Sequence, residues 1–318
     1  MKVVASAGRE DVAVVYVGET DDGRPVEFCE ALQPPASRDE KWVLMVSTMS
    51  GCPVECAMCD AGSFYRGKLS AAEILAQVDY LVARYYPDGA VPAAKFKVQF
   101  ARAGEPALND KVLDALVELP RRYRAPGLIP SLSTVAPAAR EDFFTDLLKV
   151  KDRLYSGGRF QLQFSIHSTD AADRDRLIPV RKWDLEAVAA YGARFHKPGD
   201  RKITLNFALA SGAAVDTAVL RRYFEPASFL VKLTPVNPTY AARARGLNSY
   251  VGRQAPAGGY GAVRALRAAG YEVVVSVGEL EENSIGSNCG QFLRAHLFSN
   301  ERLAGGYAYT LQAPPPLS

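Results

Sequence analysis

The chain has 318 residues, 48% of them hydrophobic and 23% charged, a composition that excludes a disordered or fibrous chain and leaves room for one large domain or two modest ones. A net charge of +3 is mildly basic and admits a nucleic-acid or phosphorylated partner without requiring one. No apolar run approaches the ~18 residues of a membrane span, and MKVVASAGREDVAVVY lacks a signal peptide's apolar core, so a cytoplasmic protein with no membrane partner is expected.

In chain order, residues 1–40 read as a small N-terminal β extension. Strands are predicted at 12–17 and 25–29, around a turn at Asp21-Asp22-Gly23, with a Pro- and charge-rich loop over 32–40. From Trp42 onward, strands alternate with helices. Strands are predicted at 42–47, 95–100, 129–133, 160–166, 202–208 and 230–235, with a further short one at 271–275. Helices are predicted at 70–86, 110–123, 138–150, 184–195, 216–223 and 259–269. Ser70 is the expected N-cap of the first helix, with Glu73 completing a capping box. Six successive βα units argue for a parallel sheet closed as a partial barrel over 41–275. Residues 276–318 then form a C-terminal segment that closes the active site, ending in a Pro-rich, loosely ordered tail.

Of five cysteines, three fall in Cys52-Pro53-Val54-Glu55-Cys56-Ala57-Met58-Cys59, directly after the first barrel strand. Disulfides are rare in a reducing cytosol, so this C-x-x-x-C-x-x-C run reads as metal chemistry. Three closely spaced thiolates hold three irons of a [4Fe–4S] cubane and leave the fourth without a protein ligand. That open iron can bind S-adenosylmethionine (SAM) through its amine and carboxylate, and an electron from the cluster then breaks the sulfonium C–S bond to give a 5′-deoxyadenosyl radical. A structural zinc site is the alternative, but it closes four ligands in paired spacings, and here only Cys29 and Cys289 lie outside the run.

The motif resembles the radical SAM superfamily signature, and further matches along 42–296 resemble the rRNA adenine methyltransferases of the RlmN/Cfr type. Glu73-Ile74-Leu75-Ala76-Gln77-Val78 matches their E-I-x-x-Q-V, and Gly104-Glu105-Pro106-Ala107-Leu108-Asn109 their G-E-P-x-x-N. Ser133-Thr134-Val135, Ser165-Ile166-His167, Arg174–Pro179, Asn237-Pro238 and Cys289-Gly290-Gln291 follow in the family's order. The resemblance implies a partial (β/α)6 barrel, with Cys52, Cys56 and Cys59 on the cluster and Met58 covering the adenine. Glu105, beside Gly104, would accept a hydrogen bond from the SAM amino group. Ser133, Ser165 and Asn237 would contact its carboxylate and ribose, and His167 would line the same pocket. Glu105, Ser133, Ser165 and Asn237 each fall at the C-terminal end of a predicted strand, where barrel active sites gather.

In that family the C-G-Q cysteine, here Cys289, carries a methyl group. A second cysteine, seven residues before the cluster motif, resolves the covalent adduct. Met45 stands at that spacing, and a thioether forms no disulfide. Cys29 does not align with the missing thiol and reads as a buried structural cysteine. Only some forty residues precede the barrel, where the family has an RNA-binding accessory domain. The expected function is therefore a radical SAM, methyltransferase-like reaction on a nucleotide or small-molecule substrate, with Cys289 as methyl carrier and a flavodoxin or ferredoxin as electron donor. The alternatives are an RNA adenine methyltransferase, a non-methylating radical enzyme using Cys289 as hydrogen donor or anchor, and a non-catalytic SAM- or RNA-binding sensor.

Overall fold

Ten strands form one continuous sheet in a computed structural model that describes residues 1–210, 212–249 and 260–276, together with 285, 293, 294, 312 and 313. β1 (Lys2–Arg9), β2 (Ala13–Glu19) and β3 (Pro25–Ala31) pair antiparallel, and β3 continues antiparallel onto β4 (Lys41–Val46). The sequence patterns give only two of these three N-terminal strands. β1 escapes them because its middle, Ala5-Ser6-Ala7-Gly8, has small residues in place of the branched and aromatic ones that mark a strand. A two-stranded ribbon of β5 (Met49–Gly51) and β6 (Tyr65–Lys68) brackets the cysteine loop.

From there helices alternate with strands: α1 (Ala71–Tyr85), β7 (Lys95–Phe100), α2 (Lys111–Arg122), β8 (Leu128–Thr134), α3 (Glu141–Leu154) and β9 (Gln161–Ser165). α4 (Ala171–Leu177), α5 (Leu185–Phe195), β10 (Ile203–Leu209), α6 (Thr217–Tyr223), β11 (Phe229–Pro235), α7 (Tyr240–Ala244), α8 (Gly261–Ala268) and β12 (Val273–Val275) complete the repeat. Strands β4, β7, β8, β9, β10, β11 and β12 lie side by side in chain order, all parallel, the arrangement of a partial TIM-like barrel.

The strands hold their helices through one face. Trp42, Leu44 and Val46 of β4, Phe96, Val98 and Phe100 of β7, and Leu205, Phe207 and Leu209 of β10 pack into a single core with helical residues. Each fully buried side chain of this size contributes about 1.5–3 kcal/mol. In α1, Ile74, Leu75, Val78, Leu81 and Val82 share the buried face at the spacing of a helix stripe. Its start is fixed as expected: Ser70 Oγ accepts from the Glu73 amide at 3.2 Å, and Glu73 Oε2 accepts from the Ser70 amide at 2.7 Å.

The alternate residues line the lumen and are mostly polar. Gln99, Ser131, Ser133, Gln161, Gln163, Ser165, Thr204 and Asn206 stand where a closed barrel packs branched aliphatics. Gln163 donates to Ser133 Oγ at 3.1 Å and Gln161 to Thr204 Oγ1 at 3.3 Å.

Cys29 is fully buried on β3, in register opposite Met45, in an apolar cluster with Ile285 and Leu293. Between β11 and α8 the chain forms α7, and residues 250–259 lie outside the described ones. In the Pro-rich tail, Gln312 exchanges two backbone hydrogen bonds with Ser6, at 3.0 and 2.9 Å, so that residue is pinned to β1 rather than loose.

Candidate cofactor and active site

The cysteine loop leaves the top of β4 through a turn that only glycine can make. Gly51 has φ +73°, and a Cβ there would lie 1.4 Å from the Phe64 carbonyl oxygen. The loop backbone is satisfied both locally and from afar. The Cys52 amide donates to Ala61 O at 2.8 Å, and the Cys59 amide to Cys56 O at 3.0 Å. The Ala57 amide donates to Leu177 O at 2.9 Å, and the Thr239 hydroxyl to Met58 O at 2.8 Å. Asp60, fully buried beside Cys59, accepts from the amides of Tyr240 and Ala241 at 3.0 and 2.8 Å and from Arg294 Nη1 at 3.1 Å.

Cys52, Cys56 and Cys59 are each half-buried on the wall of one cavity. Among the described residues no three His, Cys, Asp or Glu side chains gather around a single ion, so the closed zinc site has no ligand set there. A cubane makes a different demand, because each thiolate takes its own iron.

Facing the cysteines is the loop after β7. Gly104 has φ +99°, and a Cβ would meet Thr48 Oγ1 at 2.6 Å. This glycine lets Glu105 turn inward. Its Oε1 accepts from the Ala107 amide at 3.0 Å and the Thr134 hydroxyl at 2.5 Å, and its Oε2 from the Val135 amide at 2.9 Å. Burial pushes the carboxyl up to about 7, outweighing the lowering by Thr134, Val135 and Ala107. A cation in the cavity would hold it ionised. Asn109, which ends the same motif, donates to Thr48 O and Leu69 O, both at 2.8 Å, and so clamps the loop rather than entering the cavity.

His167 follows β9 in the left-handed region, at φ 63°. Its Nδ1 accepts from the Ala208 amide at 3.0 Å, which leaves the proton on Nε2. Burial, helped by Arg174, takes the imidazole down to about 4, so the ring is neutral at pH 7. Ser133, Ser165, Asn237 and Met58 line the same cavity. All ten of the residues expected to hold the cluster and SAM thus surround one space. Cys289 lies outside the described residues.

Asn206, Gln163 and Arg102 also line the wall and were not singled out from the sequence. Asn206 is buried, and its Oδ1 has no hydrogen-bond partner among the described residues. A buried orphan acceptor is costly unless a ligand satisfies it, and SAM brings amino and hydroxyl donors. Gln163 lies on the neighbouring strand, in register with Thr204. Arg102 forms a buried ion pair with Glu27 of β3, and Glu27 Oε2 in turn accepts from the Leu293 amide. The available signal was strand alternation, which puts Gln163 and Asn206 on the face opposite Phe164 and Phe207. With three cysteines, an orphan acceptor and a titratable carboxyl around one cavity, the residues fit a cluster and SAM.

No protein-family model matches the sequence. A probable dual-specificity RNA methyltransferase RlmN from Desulfitobacterium hafniense is 33% identical over 211 residues, covering 63% of this chain and 55% of the relative. Proteins of the same description from Acidothermus cellulolyticus and Thermus thermophilus are 30% identical over 271 residues and 27% over 246. They cover 79% and 74% of this chain, and 60% and 64% of those relatives. The chain thus spans between about half and two thirds of the length of the curated relatives it matches. A solved radical SAM methyltransferase from Sphaerobacter thermophilus shares the fold, with a TM-score of 0.65 over 91% of this chain and 80% of that one, at 21% identity. In its cysteine loop and barrel, the chain is similar to these RlmN-type proteins and has the fold of the solved radical SAM methyltransferase.

Proposed function

We propose that the chain is a radical SAM enzyme that catalyses a methyltransferase-like reaction on a nucleotide or small-molecule substrate, with Cys289 as methyl carrier. The observation that carries this reading is the single cavity lined by Cys52, Cys56, Cys59, Glu105, His167 and Asn237. When bound, a [4Fe–4S] cluster supplies the electron that cleaves SAM to a 5′-deoxyadenosyl radical. The protein's share is position and shelter. Glu105 accepts a hydrogen bond from the amino group, and that donor favours the ionised form of a carboxyl that burial otherwise raises. Neutral His167 offers Nε2–H, and the Asn206 oxygen takes a ligand donor.

In this reading residues 1–40, 41–275 and 276–318 form the extension, the barrel and a segment that closes the site. The contacts of Leu293 with Glu27 and of Arg294 with Asp60 support a C-terminal segment drawn over the cysteine loop. Reduction of the anaerobically reconstituted protein with SAM tests the enzyme. 5′-Deoxyadenosine is expected, and it should vanish in Cys56→Ala along with the iron–sulfur absorption. No 5′-deoxyadenosine from the parent protein would reject the enzyme reading. Intact mass after SAM treatment tests the carrier: a gain of one methyl, lost in Cys289→Ala, is expected.

A second reading, methylation of an RNA adenine, is favoured by the similarity to dual-specificity RNA methyltransferases. Salt-dependent binding of rRNA fragments would support it.

A further inference from the structure

Two fully buried carboxylates, Glu27 and Asp60, each reach a residue of the C-terminal segment. Glu27, on β3, forms an ion pair with Arg102 through Oε1 and accepts the Leu293 amide with Oε2. Asp60 accepts the amides of Tyr240 and Ala241 at the start of α7. Its Oδ1 also accepts from Arg294 Nη1 at 3.1 Å, and the Arg294 guanidinium lies over the Tyr240 ring, 5.0 Å from the centroid. A carboxylate sealed from water destabilises the fold unless donors satisfy it. The contacts to residues 293 and 294 are therefore anchors, because losing either one leaves a buried charge short of a partner.

The other partners of each carboxylate tie it to the cofactor site. Arg102 lines the cavity. Asp60 directly follows Cys59, and α7 starts three residues after Asn237, both wall residues. Two walls of one cavity are thus joined to adjoining residues of the same segment. A third, apolar contact lies upstream. Ile285 is fully buried with Leu293 in the cluster that Val15, Val17 and Cys29 form on the N-terminal strands. In sequence, Cys289 is midway between these anchors, four residues from each. Four residues of chain reach about 14 Å at most, whereas a group transfer needs its reacting atoms within about 3.5 Å. One anchor would leave a thiol at that distance a large volume to search. Anchors on both sides shrink the volume and raise the effective concentration of the thiol without any contact to it.

We propose that Glu27 and Asp60 are positioning residues for Cys289, forming a two-point clamp on residues 293 and 294 that holds the thiol at the SAM cavity. The N-terminal strands then have a part in the chemistry, since β3 supplies one half of the clamp and the cysteine loop the other. The positioning role rests on the reading of Cys289 as methyl carrier; the clamp itself does not.

Hydrogen–deuterium exchange of the full-length, cluster-loaded protein reads the clamp directly, and mass spectrometry of Cys289 after SAM treatment reads its effect. The peptide containing Leu293 and Arg294 should exchange at least about tenfold faster in Arg294→Ala and in Glu27→Ala than in the parent. Methyl uptake at Cys289 should slow at least about tenfold in both variants. Release of 5′-deoxyadenosine per cluster should stay within about threefold of the parent in Arg294→Ala; Glu27→Ala does not serve for this control, because it also frees Arg102 of the cavity wall. Arg294→Lys, which keeps a cation for Asp60, should hold methyl uptake within about threefold of the parent. Equal exchange in the parent and both variants overturns the clamp. Faster exchange with unchanged methyl uptake overturns the positioning role. Loss of methyl uptake and 5′-deoxyadenosine together in Arg294→Ala, with loss of the iron–sulfur absorption, overturns it too, as the mark of a general structural role. A parent protein that takes up no methyl at Cys289 rejects the carrier reading instead, and exchange then decides the clamp on its own.

Discussion

Asn206 and Phe207 are consecutive residues of β10, and they answer to opposite constraints. Phe207 points outward into the helix-packed core and is fully buried among apolar side chains. Asn206 points inward and keeps a buried oxygen without a partner among the described residues. The same division runs through β7, β9 and β10: the outer face holds the fold together and the inner face is left largely polar, at a cost in stability, for ligands. Stability and binding should therefore separate residue by residue.

The largest effect is expected on the outer face. Phe207→Ala should lower unfolding free energy by about 3–5 kcal/mol in urea titrations; a loss under about 1 kcal/mol would break the contrast. Next comes Glu105, an inner-face carboxyl whose folded value of about 7 exceeds its ordinary one of 4.5. Between those values the folded state holds the proton and the unfolded state has lost it, so stability falls as pH rises through this window. The parent should lose about 3 kcal/mol between pH 4.5 and 7.5 relative to Glu105→Gln, read from parallel urea titrations; parallel pH curves would refute it. For the same reason SAM should bind more weakly at pH 6 than at pH 8. Asn206→Ala should weaken SAM binding about tenfold and leave stability within about 1 kcal/mol; a Phe207-sized loss of stability would show that the inner face also builds the core. The smallest effect belongs to Val274→Ser on the open edge, within about 0.5 kcal/mol by thermal melting.

The outer face was the legible half. Alternation of Phe, Leu and Val placed the barrel strands within a residue or two, and the Ser70–Glu73 box marked where α1 begins. Motif order found ten residues of the cavity wall. What escaped was set by tertiary context. β1 has no strand-like middle and is held by pairing with β2, and α4 and α7 are too short for a periodic stripe. Asn206, Gln163 and Arg102 belong to no quoted motif and gain meaning only once neighbouring strands bring them around one cavity. Gln77 shows the converse. It belongs to the E-I-x-x-Q-V motif, and its side chain clasps the backbone of Ser47, accepting from the amide at 2.8 Å and donating to the carbonyl at 2.9 Å. It is a strut between α1 and the end of β4, not a ligand to anything.

Asp60 adds a consequence for how the molecule is assembled. The residue next to the last cluster cysteine is held by amides 180 and 181 positions away and by Arg294, 234 positions away. Contacts of such sequence separation form late, because the intervening chain must first be ordered. The cysteine loop therefore acquires its shape only after β11 and α7 have docked, and a peptide cut out around the three cysteines would carry the motif without its geometry. The shortest stretch of this sequence is also the one that depends on nearly all the rest.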